Sequence, residues 1–109
     1  MKLTKTLLTS ALLATSIFSF QSTAWADTPE QQFQQAVESY NKRDYQKAFK
    51  LFHSLAEQGY TEAQYNLGLM YGNGQGVKRN LSEAKEWFRK ACVNGRIAKS
   101  CEIFYKLSK

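Results

Sequence analysis

Apolar side chains recur along this chain with the period of an α-helix. From residue 45, and again from residue 81, they fall at i, i+3, i+6, i+7, i+10 and i+11. That spacing gathers them into one stripe on a helix with 3.6 residues per turn. Similar stripes precede, separate and follow these two segments. The pattern therefore predicts an all-α fold of five helices, over about 29–41, 44–58, 61–72, 81–94 and 97–107.

Residues at the predicted helix ends support these limits. Thr28 followed by Pro29 is typical of an N-cap and a first helical position. Asn80, with an acidic residue three positions later, is a second N-cap signal. Gly59 and Gly95 are expected to adopt the left-handed conformation that follows a helix. Short loops between the helices predict antiparallel neighbours.

The chain repeats itself with a period of 36 residues. Ala48, Phe52 and Gly59 align with the same residue types 36 positions later, and the other matched positions are apolar: Leu51, Leu55 and Ala56 align with Trp87, Ala91 and Cys92. A fixed period of this length indicates a repeat architecture. We divide it into a full repeat at about 44–80, a shortened repeat at about 81–109 and an N-terminal helix at about 29–41.

The first 26 residues have the three-part pattern of a secretory signal peptide. Lys2 and Lys5 precede an apolar run of 14 residues from Leu7 to Phe20, and Ala24-Trp25-Ala26 offers small residues for a peptidase. A membrane-spanning helix needs about 20 apolar residues. The sequence therefore predicts cleavage after Ala26, a domain of residues 27–109 with no membrane span, and a periplasmic or secreted location.

Composition excludes a disordered chain, because 43% of the 109 residues are hydrophobic and 14% are aromatic. The formal charge of +6 would suit a polyanion as partner. Without the leader, 13 basic and nine acidic residues remain, and from residue 78 onward there are nine basic and three acidic residues. This uneven charge is either a solvated face or a surface for an acidic protein or an anionic envelope polymer. We predict a protein partner and no nucleic acid.

The sequence shows no arrangement typical of catalysis or of cofactor binding. Two Cys and one His cannot form a closed four-ligand zinc site in one chain, and no Ser or Cys lies in a recognisable nucleophile motif. The glycines at 72–76 before Lys78 are interpreted as a turn, since a phosphate loop would follow a strand. His53 is expected to point to solvent. Phe49 is either a binding anchor or packs on the N-terminal helix.

Two strings carry a resemblance to a known family: Ala63-Gln-Tyr-Asn-Leu-Gly68 and Ala84-Lys-Glu-Trp-Phe-Arg-Lys-Ala91. Together with the pattern over residues 44–95, they resemble the Sel1-like repeat family, a relative of the tetratricopeptide repeats. The resemblance implies a short α-solenoid of helical hairpins that contacts other proteins, with no shared catalytic activity.

The resemblance also bears on the two cysteines. In an exported chain, an even pair of Cys favours a disulfide over free thiols or an intermolecular link. Some exported bacterial members of the family join the two helices of a repeat by a disulfide, which implies a bond between Cys92 and Cys101. These residues are nine positions apart, one more than the family pattern, so an extra loop residue is expected before the last helix.

By analogy with related solenoids, the groove side of the helices at 44–58 and 81–94 is the expected contact surface. The resulting hypothesis is an exported scaffold or adaptor in the bacterial envelope, present as a monomer or weak oligomer. The alternative is a hydrolase or binder acting on cell-wall-like or β-lactam substrates, an activity suggested for some cysteine-bearing relatives. The candidate partner-binding residues are Phe49, Lys50, His53, Glu86, Arg89 and Lys90.

Overall fold

A computed structural model describes residues 28–109, and over that range all of the regular secondary structure is α-helical. The predicted leader at 1–26 lies outside the described residues. Each helix boundary falls within about two residues of its predicted position, so the all-α prediction is confirmed. The helices are α1 (Pro29–Asn41), α2 (Tyr45–Glu57), α3 (Thr61–Asn73), α4 (Leu81–Gly95) and α5 (Ala98–Leu107).

Side-chain caps fix two of the helix starts. The Thr28 hydroxyl accepts a hydrogen bond from the Gln31 backbone N–H at 3.2 Å, and the Gln31 side chain accepts one from the Thr28 N–H at 3.0 Å. At the start of α4, Asn80 Oδ1 accepts from the Glu83 N–H at 3.0 Å. These bonds satisfy N–H groups that have no partner within the helix, as the sequence predicts.

The helices pack in chain order, each against the next, as a short solenoid of antiparallel hairpins. Their apolar stripes meet in one core, whose side chains exclude water and supply most of the folding free energy. That core is formed mainly by α2 and α3, with contributions from α1 and α4: Ala36, Ala48, Phe52, Leu55, Ala56, Ala63, Leu67, Met70 and Trp87.

Rings hold the N-terminal helix on the first repeat. Phe33 of α1 lies edge-on to Phe52, with centroids 5.6 Å apart, and stacks on Tyr60 at 5.2 Å. At the other end of α1, the Tyr40 hydroxyl donates a hydrogen bond to Gln75 at 2.9 Å. α1 therefore packs against α2 and is fastened at both ends.

The interface between α3 and α4 depends on one glycine of α3, Gly68. A Cβ at Gly68 would lie 2.8 Å from the ring of Phe88, whereas one at Gly72 would lie 3.8 Å from the Ala84 Cβ. The Phe88 ring also contacts Tyr65, with centroids 5.9 Å apart. Phe88 thus fits into a hole that only glycine leaves open.

One prediction about helix ends is confirmed and one is wrong. Gly59 has φ +94° and follows α2, as expected. Gly95, however, lies inside α4, and the left-handed residue is Arg96, with φ +53°. The physical reason is a close contact, because a Cβ at Gly95 would come within 2.5 Å of the Thr61 side chain. Gly95 is needed for helix packing rather than for a turn.

The last hairpin is closed by a disulfide between Cys92 of α4 and Cys101 of α5, whose Cα atoms are 4.7 Å apart. This is the pairing that the family resemblance implies. Arg96 and Ile97 separate the two helices. Only Ser100 of α5 is fully buried, so the covalent link adds to limited packing.

Candidate functional site

A row of rings crosses from α2 to α4. His53 lies between Phe49 and Trp87, with ring centroids 5.6 Å and 6.1 Å away. Phe49 also contacts Tyr71 of α3 edge-on at 5.4 Å. These are the ring contacts of Phe49 among the described residues. Neither involves the N-terminal helix, against which packing was one of the two predicted roles of Phe49.

The expected orientation of His53 needs correction. Its side chain is 37% exposed, and its Nδ1 lies 3.4 Å from a Glu57 carboxylate oxygen. It is half-buried between two aromatic rings because Trp87, one repeat later, packs against it. His53 is therefore part of the α2–α4 contact and does not simply project into solvent.

Trp87 lies at the bottom of a groove between α2 and α4 and is only 7% exposed. The Lys90 ammonium lies 4.3 Å from the centre of its ring. A cation held over an indole face is stabilised by the ring quadrupole. This contact places a positive charge at a defined position beside a buried aromatic surface.

Glu86 and Arg89 form a second charged feature on α4. Arg89 Nε lies 2.9 Å and 3.3 Å from the two Glu86 oxygens, and its Nη2 lies 3.3 Å from one of them. The hydrogen bond from Arg89 lowers the pKa of Glu86 below its ordinary value, and the same bond raises the pKa of Arg89. Lys50, the remaining candidate, is exposed on α2.

Trp87, Lys90 and Glu57 border a groove of about 450 Å³ between the C-terminal ends of α2 and α4. Three helices and the loop after α2 contribute to it. A hollow of about 490 Å³ runs along α1, but a single helix lines it and its walls are mainly apolar. The α2–α4 groove is the better candidate because aromatic, charged and amide groups converge there. Its lining is Ala56, Glu57, Gly59, Gln64, Trp87, Lys90 and Asn94.

Gln64 is a groove residue that the sequence analysis did not identify. Its side chain is 3% exposed and its Nε2 donates to the Ala56 carbonyl at 3.1 Å, while its Oε1 has no partner among the described residues. A buried polar atom without a partner is uncommon. The sequence signal that could have identified Gln64 is a glutamine on the apolar stripe of a helix.

Of the six candidate residues, Lys90 lines the groove itself, and Phe49 and His53 are joined to it through the contact between His53 and the groove residue Trp87. Arg89 and its partner Glu86 lie on α4 next to Lys90. Within residues 28–109, no three His, Cys, Asp or Glu side chains gather to hold a metal ion. None of the helices in that range has the length and apolarity to cross a bilayer.

Comparison with known proteins places the same helices in a repeat family. Residues 42–60 and 61–95 match the family model of the Sel1 repeat. The family model thus divides the chain between residues 60 and 61. The two copies that we aligned within the sequence, 36 residues apart, start instead at residues 45 and 81.

Two curated proteins also match part of the chain. They are the proteins named DAP3-binding cell death enhancer 1 from Rattus norvegicus and from Mus musculus. Each is 44% identical over 48 residues, which is 44% of this chain and 9% of the relative. The similarity thus covers one repeat-sized segment of much longer proteins.

Proposed function

This chain belongs to the Sel1 repeat family, and from that premise we propose that it binds a partner protein along the groove between α2 and α4. Repeats of this kind form extended surfaces on which other proteins dock. The proposal rests on this chain's own groove, since the curated relatives share only one short segment with it.

One observation carries the proposal: the His53–Trp87 contact joins the two repeats at the base of a groove bordered by charges. Aromatic side chains with a polar rim are the usual composition of the energetically important part of an interface. Lys90 supplies a cation there, and Glu57, which also lines the groove, lies next to His53. An acidic or mixed-charge segment with an apolar residue fits this composition.

We propose binding without catalysis. His53 lies between two rings and beside a carboxylate, and both cysteines are joined in a disulfide, so no thiol nucleophile is available in residues 28–109. No observation favours the hydrolase that the sequence analysis kept as an alternative.

We further propose that the protein is exported as a scaffold or adaptor of the bacterial envelope. The leader pattern at residues 1–26 supports this, and a disulfide is compatible with an oxidising compartment. N-terminal sequencing of the protein from the periplasm or medium of an expressing Gram-negative bacterium should give Asp27 as the first residue. Recovery with Met1 intact in the cytoplasm would contradict export.

Site-specific photo-cross-linking in cells tests the binding proposal. A photoreactive amino acid replaces Lys50, which is exposed on α2 about two turns before the groove residue Glu57, and in a matched control it replaces Lys47, also exposed on α2. We expect one discrete cross-linked protein from position 50, weaker or absent from position 47, and lost when Lys90→Ala is added. Equal labelling from both positions, or labelling that is insensitive to Lys90→Ala, would refute the groove as the binding site.

A further inference from the structure

The 36-residue period allows the two hairpins to be compared face by face. In the first hairpin, one face of α2 and one face of α3 receive α4: His53 contacts Trp87, and Gly68 receives Phe88. Tyr65 contacts the same Phe88 ring. We call this surface the receiving face of the first hairpin, and it comprises Phe49, His53, Ala56, Thr61, Tyr65 and Gly68.

The corresponding face of the second hairpin has different chemistry. Phe49 and His53 correspond to Lys85 and Arg89, so two cations replace two rings. Thr61 corresponds to Ile97. We call the surface of Lys85, Arg89, Cys92, Ile97, Cys101 and Phe104 the end face.

Two features close the end face to another repeat. Gly68 corresponds to Phe104, so a ring fills the hole into which Phe88 fits in the first hairpin. Ala56 and Tyr65 correspond to Cys92 and Cys101, and the disulfide joins the two helices at that point. A third helical hairpin would meet a ring, a covalent bond and two charges. Polar outer faces are what terminal repeats of solenoids require.

The cations of the end face are held beside aromatic surface. The Lys85 ammonium lies 5.9 Å from the centre of the Phe104 ring and has no carboxylate partner among the described residues. Arg89 is paired with Glu86. Residues 78–109 carry nine basic and three acidic side chains, and Glu102 is already held by Lys99 and Lys106 at 3.6 Å and 3.1 Å. Positive charge remains in excess at this end.

We propose that the end face binds an acidic helical segment of a partner protein. Side chains four residues apart on a helix are about 5–6 Å apart at their Cβ atoms, so Lys85 and Arg89 match two carboxylates with the same spacing on a partner helix. The Phe104 ring offers apolar contact beside Lys85. This surface is separate from the proposed α2–α4 groove, although Arg89 lies near both.

The test uses fluorescence anisotropy with the purified, oxidised protein. The probe is a fluorescein-labelled 14-residue amphipathic peptide with two Glu four positions apart among Leu residues. Its control has Gln at both Glu positions. We expect the Glu peptide to bind at least tenfold more tightly than the Gln peptide, and Lys85→Glu to weaken its binding at least tenfold. Lys47→Glu, the same charge reversal on α2, should change it less than twofold.

A charge exchange shows whether the contact is direct. A peptide with Lys in place of its two Glu residues should bind the Lys85→Glu variant more tightly than the unaltered protein. No binding of the Glu peptide, an equal effect of Lys47→Glu, or no rescue by the Lys peptide would overturn the proposal. Tighter, Lys85-dependent binding to phosphatidylglycerol vesicles or to duplex DNA would also overturn it, in favour of a lipid or nucleic-acid surface. The groove cross-linking from position 50 is independent of all these outcomes.

Discussion

The ring of Phe88 occupies the space that a side chain at Gly68 would need, with its Cε1 atom 2.8 Å from the position of a Cβ. A methyl group there forces the ring or the two helices apart. Gly68→Ala is expected to lower the free energy of unfolding by about 1–2 kcal/mol, since overpacking costs about 1–3 kcal/mol and alanine regains up to about 1 kcal/mol of helix propensity. Urea unfolding followed by circular dichroism measures the change.

Gly72→Ala is the matched control, one turn further along α3. Its Cβ would lie 3.8 Å from that of Ala84, an ordinary van der Waals contact. We expect Gly72→Ala to leave stability unchanged or to raise it by less than about 1 kcal/mol. Equal destabilisation by the two substitutions would show that the close fit of Phe88 is not what makes Gly68 necessary.

The disulfide is expected to stabilise mainly the last helix. Closing a loop of about ten residues between Cys92 and Cys101 contributes about 2–3 kcal/mol in the chain-entropy model, and α5 buries little surface of its own. Replacing both cysteines by serine should therefore reduce amide hydrogen-exchange protection in α5 far more than in α2 or α3. Uniform loss of protection over all helices would contradict this localised role.

Alanine substitutions at two glycines with positive φ, Gly59 and Gly76, distinguish the cost of backbone strain from the cost of steric overlap. At Gly59, with φ +94°, a Cβ would have nothing within 4 Å, whereas at Gly76, with φ +74°, it would overlap the backbone carbonyl of Tyr45. Gly59→Ala should cost about 1 kcal/mol from the left-handed conformation alone, and Gly76→Ala about 3 kcal/mol because overlap adds to it. Thermal unfolding of the two variants checks the order, and a costlier Gly59→Ala would refute the contact.

Acid is expected to destabilise the fold through three exposed carboxylates. Hydrogen bonds from Lys42, Arg89 and Lys106 lower the pKa values of Glu38, Glu86 and Glu102 respectively. A carboxyl group with a lowered folded-state pKa stabilises the fold above its unfolded pKa of about 4.3, and this contribution is lost as pH falls through the folded-state pKa.

The melting temperature should therefore fall as pH is lowered from 5 to about 3, by less in high salt because exposed pairs are screened. Glu86→Gln should reduce the size of this fall. Glu62→Gln is the control, since residues 28–109 provide no ion pair for Glu62. A pH dependence that Glu86→Gln leaves unchanged would rule out the Glu86–Arg89 pair as a contributor.

Local sequence signals were sufficient for the helices because their causes are local. The apolar period and the caps at Thr28 and Asn80 act within a few residues, and the structure agrees at these positions. Gly95 and His53 were misinterpreted for the opposite reason. What decides their surroundings is a residue far along the chain, Thr61 in one case and Trp87 in the other.

The groove was predictable only in part for the same reason. The repeat identified two of the helices that line it, α2 and α4, and hence Lys90. It did not reveal that Gln64 would lie beneath the groove with an unpaired oxygen, because that depends on how three helices meet. The 36-residue period predicts which residues form the end face only after the contacts have shown which side of each helix packs against the next hairpin.

The fit of the Phe88 ring beside Gly68 also determines where further helical hairpins could be added to this solenoid. The segment 45–80 carries its own ring, Phe52, and its own hole, Gly68, so a tandem duplication of this segment before Leu81 would place a ring in a hole at each junction between neighbouring hairpins. A unit appended after Leu107 would instead meet Phe104 where a hole is required. Longer versions of this protein are therefore best built by internal duplication, with both ends kept as they are.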